Sequence, residues 1–434
     1  MKNLITYILV LWALFAGLLH AQTLFNNGAK LYISNGANIY ISGNYKDTTN
    51  INQGVIKLHG TMWVKKDWIN YSDSGVFIAD TSGIIKNRNQ FGQVILDNNK
   101  ISQSIYGANP TYFENLKLSG SDKTLYVTNC KLRGVLTLNS VLDLNKNRFI
   151  IDNSSPSAIN YKSGYIISET TPSEGLGEIK WNIGDSLGSY IIPFGSGNGG
   201  DDLNLTLKTK TNGSSDGSVT FATYPTDYLK LPYPSIVTNL TGLNAQNIVD
   251  RFWIIRPEYN FKPGINLIFS YLEKDLDETF NVNIKESSLT ARRYNTIQND
   301  WRDIAPECTV DTKYKKLYVN NLLSKDFYEP WILLTDEKLA TMYIPKAFTP
   351  NGDGKNETFM PVSVSIDPTY YNMYIYDRWG KLIYNTTDIN KPWDGKVKGS
   401  SQICPEGVYV YYILYRDLVS RVINEYYGSV TIVR

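Results

Sequence analysis

Asn27 to Ser34 reads "NGAKLYIS" and Asn35 to Ser42 reads "NGANIYIS", the same octad twice in sixteen residues. Each copy opens on Asn-Gly, a pair that accepts the positive φ of a tight turn, and continues with apolar residues at alternate positions, the period of a strand. The same texture runs on through "GVIKLHG", "TMWV", "GVFIAD", "GIIKN", "GQVILD", "NLKLSG", "TLYVTNCKL", "GVLTLN", "VLDLN" and "RFIID". These are short strands punctuated by Gly, Asn or Asp, and none carries a helical period. Strands of this size could build a sandwich. The repeat and the ladder-like succession of Leu-x-Leu-Asn turns favour the rungs of a parallel β-solenoid over residues 22–163.

Past Ser163 the strands lengthen and alternate more cleanly: "GEIKWNIG", "SYIIPFG", "LNLTLKTK", "SVTFATY", then, after a Pro-rich stretch from Tyr224 to Pro234, "RFWIIRP", "INLIFSYL", "LTARRYN", "KLYVNN" and "WILLTD". Strands of this kind over residues 164–337 predict an antiparallel β-sandwich, loosely similar to modules common in Bacteroidetes surface proteins. Lys338 to Met342 reads as a linker.

The last ninety or so residues carry an ordered set of motifs: "YIPKAFTPNGDGKNETF" from Tyr343, "YDRWGKLIYN", "PWDGK", "EGVYVYYI" and the terminal "GSVTIVR". Pro350, Asn351, Gly352, Asp353 and Gly354 are turn residues, and Trp379-Gly380 sits where a hairpin should reverse. Gly407 to Tyr415 and Gly428 to Val433 read as strands, giving a small immunoglobulin-like sandwich at residues 343–434. In order and spacing the set resembles the gliding-motility-associated C-terminal domain, also called the type B sorting domain, of Bacteroidetes proteins exported by the type IX secretion system. The positions carrying the resemblance are Phe348, Pro350 to Gly354, Arg378, Trp379, Gly380, Trp393, Asp394, Gly395, Gly407, Tyr409 and Gly428. It implies handling by the type IX machinery and an outer-membrane partner, and a final location outside the outer membrane, on the cell or in the medium.

The opposite end agrees with export. Lys2 precedes an apolar run from Leu4 to Leu19, and Ala21 before Gln22 offers a small residue for cleavage, so residues 1–21 read as a secretory signal peptide. The run is shorter than the ~20 residues a membrane span wants, so no transmembrane span is expected after cleavage.

Charged residues make up 19%, below the ~25% of average soluble domains, and the net charge is +2. That composition excludes a nucleic-acid footprint. Three cysteines, Cys130, Cys308 and Cys404, permit one disulfide at most and are better read as small buried apolar residues.

Four patterns invite a chemical reading, and each lacks the context its chemistry needs. "GSGNGG" at Gly195 to Gly200 matches a dinucleotide fingerprint, but an alternating strand follows it instead of a helix, so it reads as a hairpin loop. "GDSL" at Gly184 to Leu187 is the nucleophile block of a hydrolase family that needs a D-x-x-H partner, and the only histidines are His20 and His59. "NGDGKNE" starts like a calcium loop but has Asn356 at the glycine position and Val362 where a bidentate Glu belongs. The acidic groups Asp201-Asp202 and Glu273-Asp275-Asp277-Glu278 read as solvated loops. No catalytic residue, cofactor or metal is expected. The sequence therefore points to an all-β, secreted, non-catalytic binding or adhesive protein with a glycan or cell-surface ligand; the alternatives are a polysaccharide hydrolase or lyase using carboxylates on the solenoid, and a structural stalk.

Overall fold

A computed structural model describes residues 19–48, 55–72, 92–126, 129–197, 199–240, 243–277, 279–335, 341–364, 366–417 and 423–434, with side chains from Gln22 onward except at 302–304, 341, 364 and 417. The strands expected at residues 75–80 and 83–87, residues 1–18 of the expected signal peptide and residues 338–340 of the linker lie outside them. The described residues contain strands and short 3-10 turns, and no helix among them is long and apolar enough to cross a membrane.

The N-terminal region is a parallel β-solenoid. One face stacks seven strands: Leu19–Ala21, Asn38–Ile41, Thr61–Val64, Gln93–Asn98, Asn115–Gly120, Leu136–Leu138 and Ile159–Tyr161. A second face stacks seven more, from Leu24–Asn26 to Ile166–Ile167. A third face holds Lys30–Ile33 on Val55–Leu58 and, further along, Tyr112–Phe113, Cys130–Leu132, Arg148–Ile151 and Glu178–Trp181. Alternation sends every second side chain inward, where like residues align from rung to rung. Ile41, Val64, Leu96, Leu118 and Leu138 form one such column, all fully buried. On the second face Tyr45, Trp68, Ile105 and Leu125 form another, with the rings of Tyr45 and Trp68 stacked at 4.3 Å.

The two octads lie on different faces. Lys30–Ile33 pairs with Val55–Leu58, and Asn38–Ile41 with Thr61–Val64. The eight-residue repeat is thus one side of a coil, not a whole rung. "TLYVTNCKL" likewise divides into Lys123–Leu125 and Cys130–Leu132 on two faces.

The change of texture at Ser163 falls within one continuous apolar core. Ile166–Ile167 still pairs parallel within the solenoid. Glu178–Trp181 pairs parallel with Arg148–Ile151 on one edge and antiparallel with Ser218–Pro225 on the other. The sheet then runs antiparallel through Arg251–Glu258 and Trp331–Thr335, with Leu289–Asn295 next in order. Facing it is a five-stranded antiparallel sheet ordered Ser189–Ile192, Leu205–Thr209, Ile265–Ser270, Lys316–Leu322, Glu307–Asp311. One apolar core is continuous from Ile33 to Leu333. The physical reason is edge protection: a solenoid's last strand exposes a row of unpaired backbone groups, and the antiparallel sheet satisfies them.

Residues 335–434, with 239–247 and 300–302, form a second compact unit. Its main sheet is ordered Ala347–Phe348, Ile423–Ile432, Gly407–Asp417, Ile366–Tyr376, Leu382–Thr386, and Thr341–Tyr343 pairs separately with Val362–Val364. Its own core centres on Phe348, Phe359, Ile375, Trp393, Ile413 and Ile432.

Candidate functional site

The sheet that leaves the solenoid turns its outer face into an open groove of about 530 Å³. Strand register builds it: Lys131 lies beside Ile150, and Ile150 beside Lys180, across three neighbouring strands. Inward neighbours such as Cys130, Leu132, Ile151 and Trp181 are fully buried, so alternation leaves the intervening polar residues outside. Asp152 and Asn182 extend the row at the strand ends, and the Ser215–Ser218 turn and Glu258 close one side.

Each carboxylate in the groove is engaged. Glu258 accepts from Lys180 Nζ at 2.6 Å, Asp152 from Asn182 Nδ2 at 2.6 Å, and Asp216 from Asn260 Nδ2 at 2.8 Å. Arg148 Nε donates to Glu178 at 2.7 Å, and Arg256 donates to the other oxygen of Glu178 at 3.2 Å. Lys131 Nζ lies 5.4 Å from the centre of the Tyr112 ring. Ile150 is the one large apolar residue in the lining. Such a surface, rich in donors and acceptors of both signs, matches a hydroxylated or charged ligand; an apolar cofactor would leave these groups unpaired. No sequence signal separated these residues from any outward-facing polar position of a strand.

The motif residues of the C-terminal unit divide into a packed cluster and two exposed turns. Phe348 sits 5.3 Å from Trp393 and 6.2 Å from Phe359 between ring centres, and Tyr409 meets Trp393 edge-on at 5.1 Å. Trp393 is fully buried, exchanges backbone hydrogen bonds with Phe359 at 2.8 and 2.9 Å, and donates its indole N–H to the Lys396 carbonyl. The chain then turns through Asp394, whose Oδ1 accepts from the Lys396 N–H, and Gly395. Gly395 has φ +74°, a conformation that favours glycine, and a Cβ there would crowd Pro350 at 3.1 Å while touching Phe348 at an ordinary 3.5 Å, so "PWDG" and "FTP" pack closely at that glycine. Tyr409 Oη donates to the Pro405 carbonyl, two residues before Gly407 opens its strand. A Cβ on Gly428 would strike the Tyr411 hydroxyl.

The expected hairpin reversal is at residues 377–381. Asp377 Oδ1 accepts the Trp379 and Lys381 N–H groups, both at 2.9 Å, and Gly380 takes φ +80°. Trp379 projects 81% exposed with the Arg378 guanidinium over its ring. The Asn351 to Gly354 loop is held by its own side chains: Asn351 accepts the Asp353 N–H, Asp353 accepts the Lys355 N–H, and Glu357 accepts those of Gly352 and Gly354. These oxygens serve turn geometry. Among the described residues no group of three or more His, Cys, Asp or Glu side chains is placed to hold a metal.

The remaining sequence candidates also find places. Leu19–Ala21 pairs with Asn38–Ile41, so the expected cut between Ala21 and Gln22 falls at the end of that strand. The Gly195–Gly200 segment joins antiparallel strands, with a bridge from Gly195 to Asp202. Ser186 lies in the turn before Ser189–Ile192, its carbonyl accepting from Tyr190 and Thr209, and the His59 ring packs against Tyr32. None of the three cysteines forms a disulfide. One reading is overturned: Asp275 is no solvated loop residue but is 2% exposed, with both oxygens held by Arg251.

Residues 342–432 match the family model of the CHU_C type IX secretion signal domain, a match that covers about a fifth of the chain. No curated protein and no solved structure matches the chain.

Proposed function

We propose that this type IX secretion cargo is a non-catalytic binding protein that holds a glycan of a cell surface or matrix along the solenoid–sheet groove. Export across the outer membrane follows from the secretion signal domain. The observation that carries the binding reading is the state of the groove carboxylates. Asp152, Asp216 and Glu258 are each tied to an amide or an ammonium group, an arrangement that presents fixed donors and acceptors to hydroxyl groups. General acid–base chemistry needs instead a carboxyl within reach of the scissile bond and a second group positioned to work with it.

The test is a glycan-array and cell-surface binding screen of the full chain, with Lys131→Ala and Asp216→Ala beside it. Binding by the wild type that drops at least tenfold in both variants supports the reading. Binding that neither variant changes, or no binding at all, would leave a stalk as the better description. A polysaccharide-active enzyme remains the second reading because three carboxylates and three cations share the groove, and a depolymerisation assay run on the same glycans decides it: turnover lost in Asp152→Asn or Glu258→Gln replaces the binding reading with an enzyme.

A further inference from the structure

Away from the groove, three side chains with complementary chemistry meet inside the first unit. Lys230 stands in the turn after Ser218–Pro225, Asp250 immediately precedes Arg251–Glu258, and Asn281 follows the 3-10 turn Glu273–Leu276. Lys230 Nζ donates to Asn281 Oδ1 at 2.7 Å and to Asp250 Oδ1, while Asn281 Nδ2 donates to Asp250 Oδ2 at 2.9 Å. The three close a ring in which amine, amide and carboxyl touch pairwise. Relative exposures are 0% for Lys230, 8% for Asp250 and 2% for Asn281. The rings of Tyr228 and Phe280, stacked at 4.8 Å, bridge the same two loops.

A buried lysine facing an aspartate is ordinarily an ion pair. Here the amine also lies against the amide oxygen, one bond from the amide carbon, and the carboxyl spans from the amine to the amide nitrogen. We infer that Lys230 and Asn281 are joined by an intramolecular isopeptide bond, formed with Asp250 as the proton-relaying acid. This goes beyond the binding reading and is independent of what occupies the groove.

The step balances without an oxidant or cofactor. Asp250 takes a proton from the Lys230 ammonium, leaving a neutral amine whose lone pair attacks Cγ of Asn281. The carboxylic acid so formed, already in contact with Nδ2, delivers its proton to that nitrogen. The N–C bond to Lys230 forms, the C–N bond to Nδ2 breaks, and one ammonia leaves. A proton shed by the new amide nitrogen restores the charge balance, and Asp250 is regenerated. Burial favours the first transfer, holding the Lys230 amine below the usual lysine range and the Asp250 carboxyl above the usual carboxylate range. Water is kept from competing for the amide by the same burial.

The bond would link residues 51 apart in sequence. It would enclose Arg251–Glu258 of the long sheet and Ile265–Ser270 of the five-stranded sheet in one covalent loop, in a chain whose three cysteines form no disulfide. Such a closure restricts the unfolded chain as a disulfide does, without being reducible.

Intact-mass and peptide mass spectrometry of the full chain, purified beside Asp250→Ala and Lys230→Arg, tests this. The expected result is a wild type lighter than its sequence mass by one ammonia, a branched peptide joining Lys230 to Asn281, and no tryptic cleavage after Lys230. Both variants should keep the ammonia and yield linear peptides, with folding checked by circular dichroism, and the wild type should melt at a higher temperature than Lys230→Arg. A wild type carrying its full sequence mass after prolonged incubation at neutral pH overturns the proposal. Ammonia loss without the branched peptide overturns it too, since that would be cyclisation of an asparagine to a succinimide or of an N-terminal glutamine.

Discussion

Leu118 is the place to ask whether the solenoid is held rung by rung. It is fully buried in the column between Leu96 and Leu138, and Leu118→Ala removes side-chain carbons that no neighbour can replace. The transfer loss is roughly 2–2.5 kcal/mol at ~0.8 kcal/mol per methylene, and a partly collapsed cavity brings the total to about 3–4 kcal/mol. The apolar core runs unbroken into the sandwich, which taken alone would spread that loss over the whole first unit. Backbone pairing argues otherwise, since Asn115–Gly120 bonds only to Gln93–Asn98 and Leu136–Leu138 on that face. Stability in stacked repeats is carried by nearest neighbours. Hydrogen exchange on the full chain should therefore accelerate by roughly a hundredfold or more in those three strands, with each ~1.4 kcal/mol worth tenfold. Leu205–Thr209 and Ile265–Ser270 should change little. Equal acceleration in all five segments would refute local coupling and make solenoid and sandwich one cooperative body.

Deleting residues 343–434 should leave the first unit folded, by circular dichroism and protease resistance, but retained in the periplasm; surface or extracellular recovery of the truncated chain would contradict the secretion role of the domain. Gly395→Val should destabilise the C-terminal unit by roughly 2–4 kcal/mol, because a branched side chain at positive φ must also displace Pro350 and Phe348. Domain-resolved thermal melts would show it, and an unchanged transition would sink the argument. Ser186→Ala and His59→Ala should leave every measurable activity intact, since neither side chain has the partner nucleophilic chemistry requires; loss of an esterase or glycanase activity in either would overturn that. Burial pushes the Asp47 carboxyl up to about 6. Its folded pKa exceeds the unfolded value, so the folded state is favoured at low pH and loses roughly 2–3 kcal/mol as pH rises from about 4 through about 6. Asp47→Asn should remove that slope and be the more stable protein at pH 8 in denaturant titrations, and identical midpoints at pH 4 and pH 8 for the difference between the two would count against it.

Local pattern revealed what local physics decides. Asn-Gly turns and alternating apolar residues marked the solenoid strands, and the ordered terminal motifs marked the C-terminal domain, because turn geometry and period-2 burial are written in adjacent residues. Stacking was not legible. Nothing adjacent to Lys30–Ile33 says that its partner is Val55–Leu58 and not the next octad. Glu178–Trp181 reads like any strand, yet it is the seam between parallel and antiparallel pairing, and that role depends on Ser218–Pro225 forty residues later. Asp275 misled for the same reason: an acidic residue in a short turn reads as solvated until Arg251 arrives from another strand. Lys230, Asp250 and Asn281 carry no motif, and Lys230 stands in a Pro-rich stretch that reads as an interruption.

The seam strand also bears on the order in which the chain folds. Its two edges are completed by partners about thirty residues behind and forty ahead, and each rung of the coil joins residues about twenty or more apart. With no α-helix among the described residues to nucleate quickly, loop closure must precede nearly every contact, and folding of such a topology is slow. In such a chain the coil closes only after both partners of the seam strand are present.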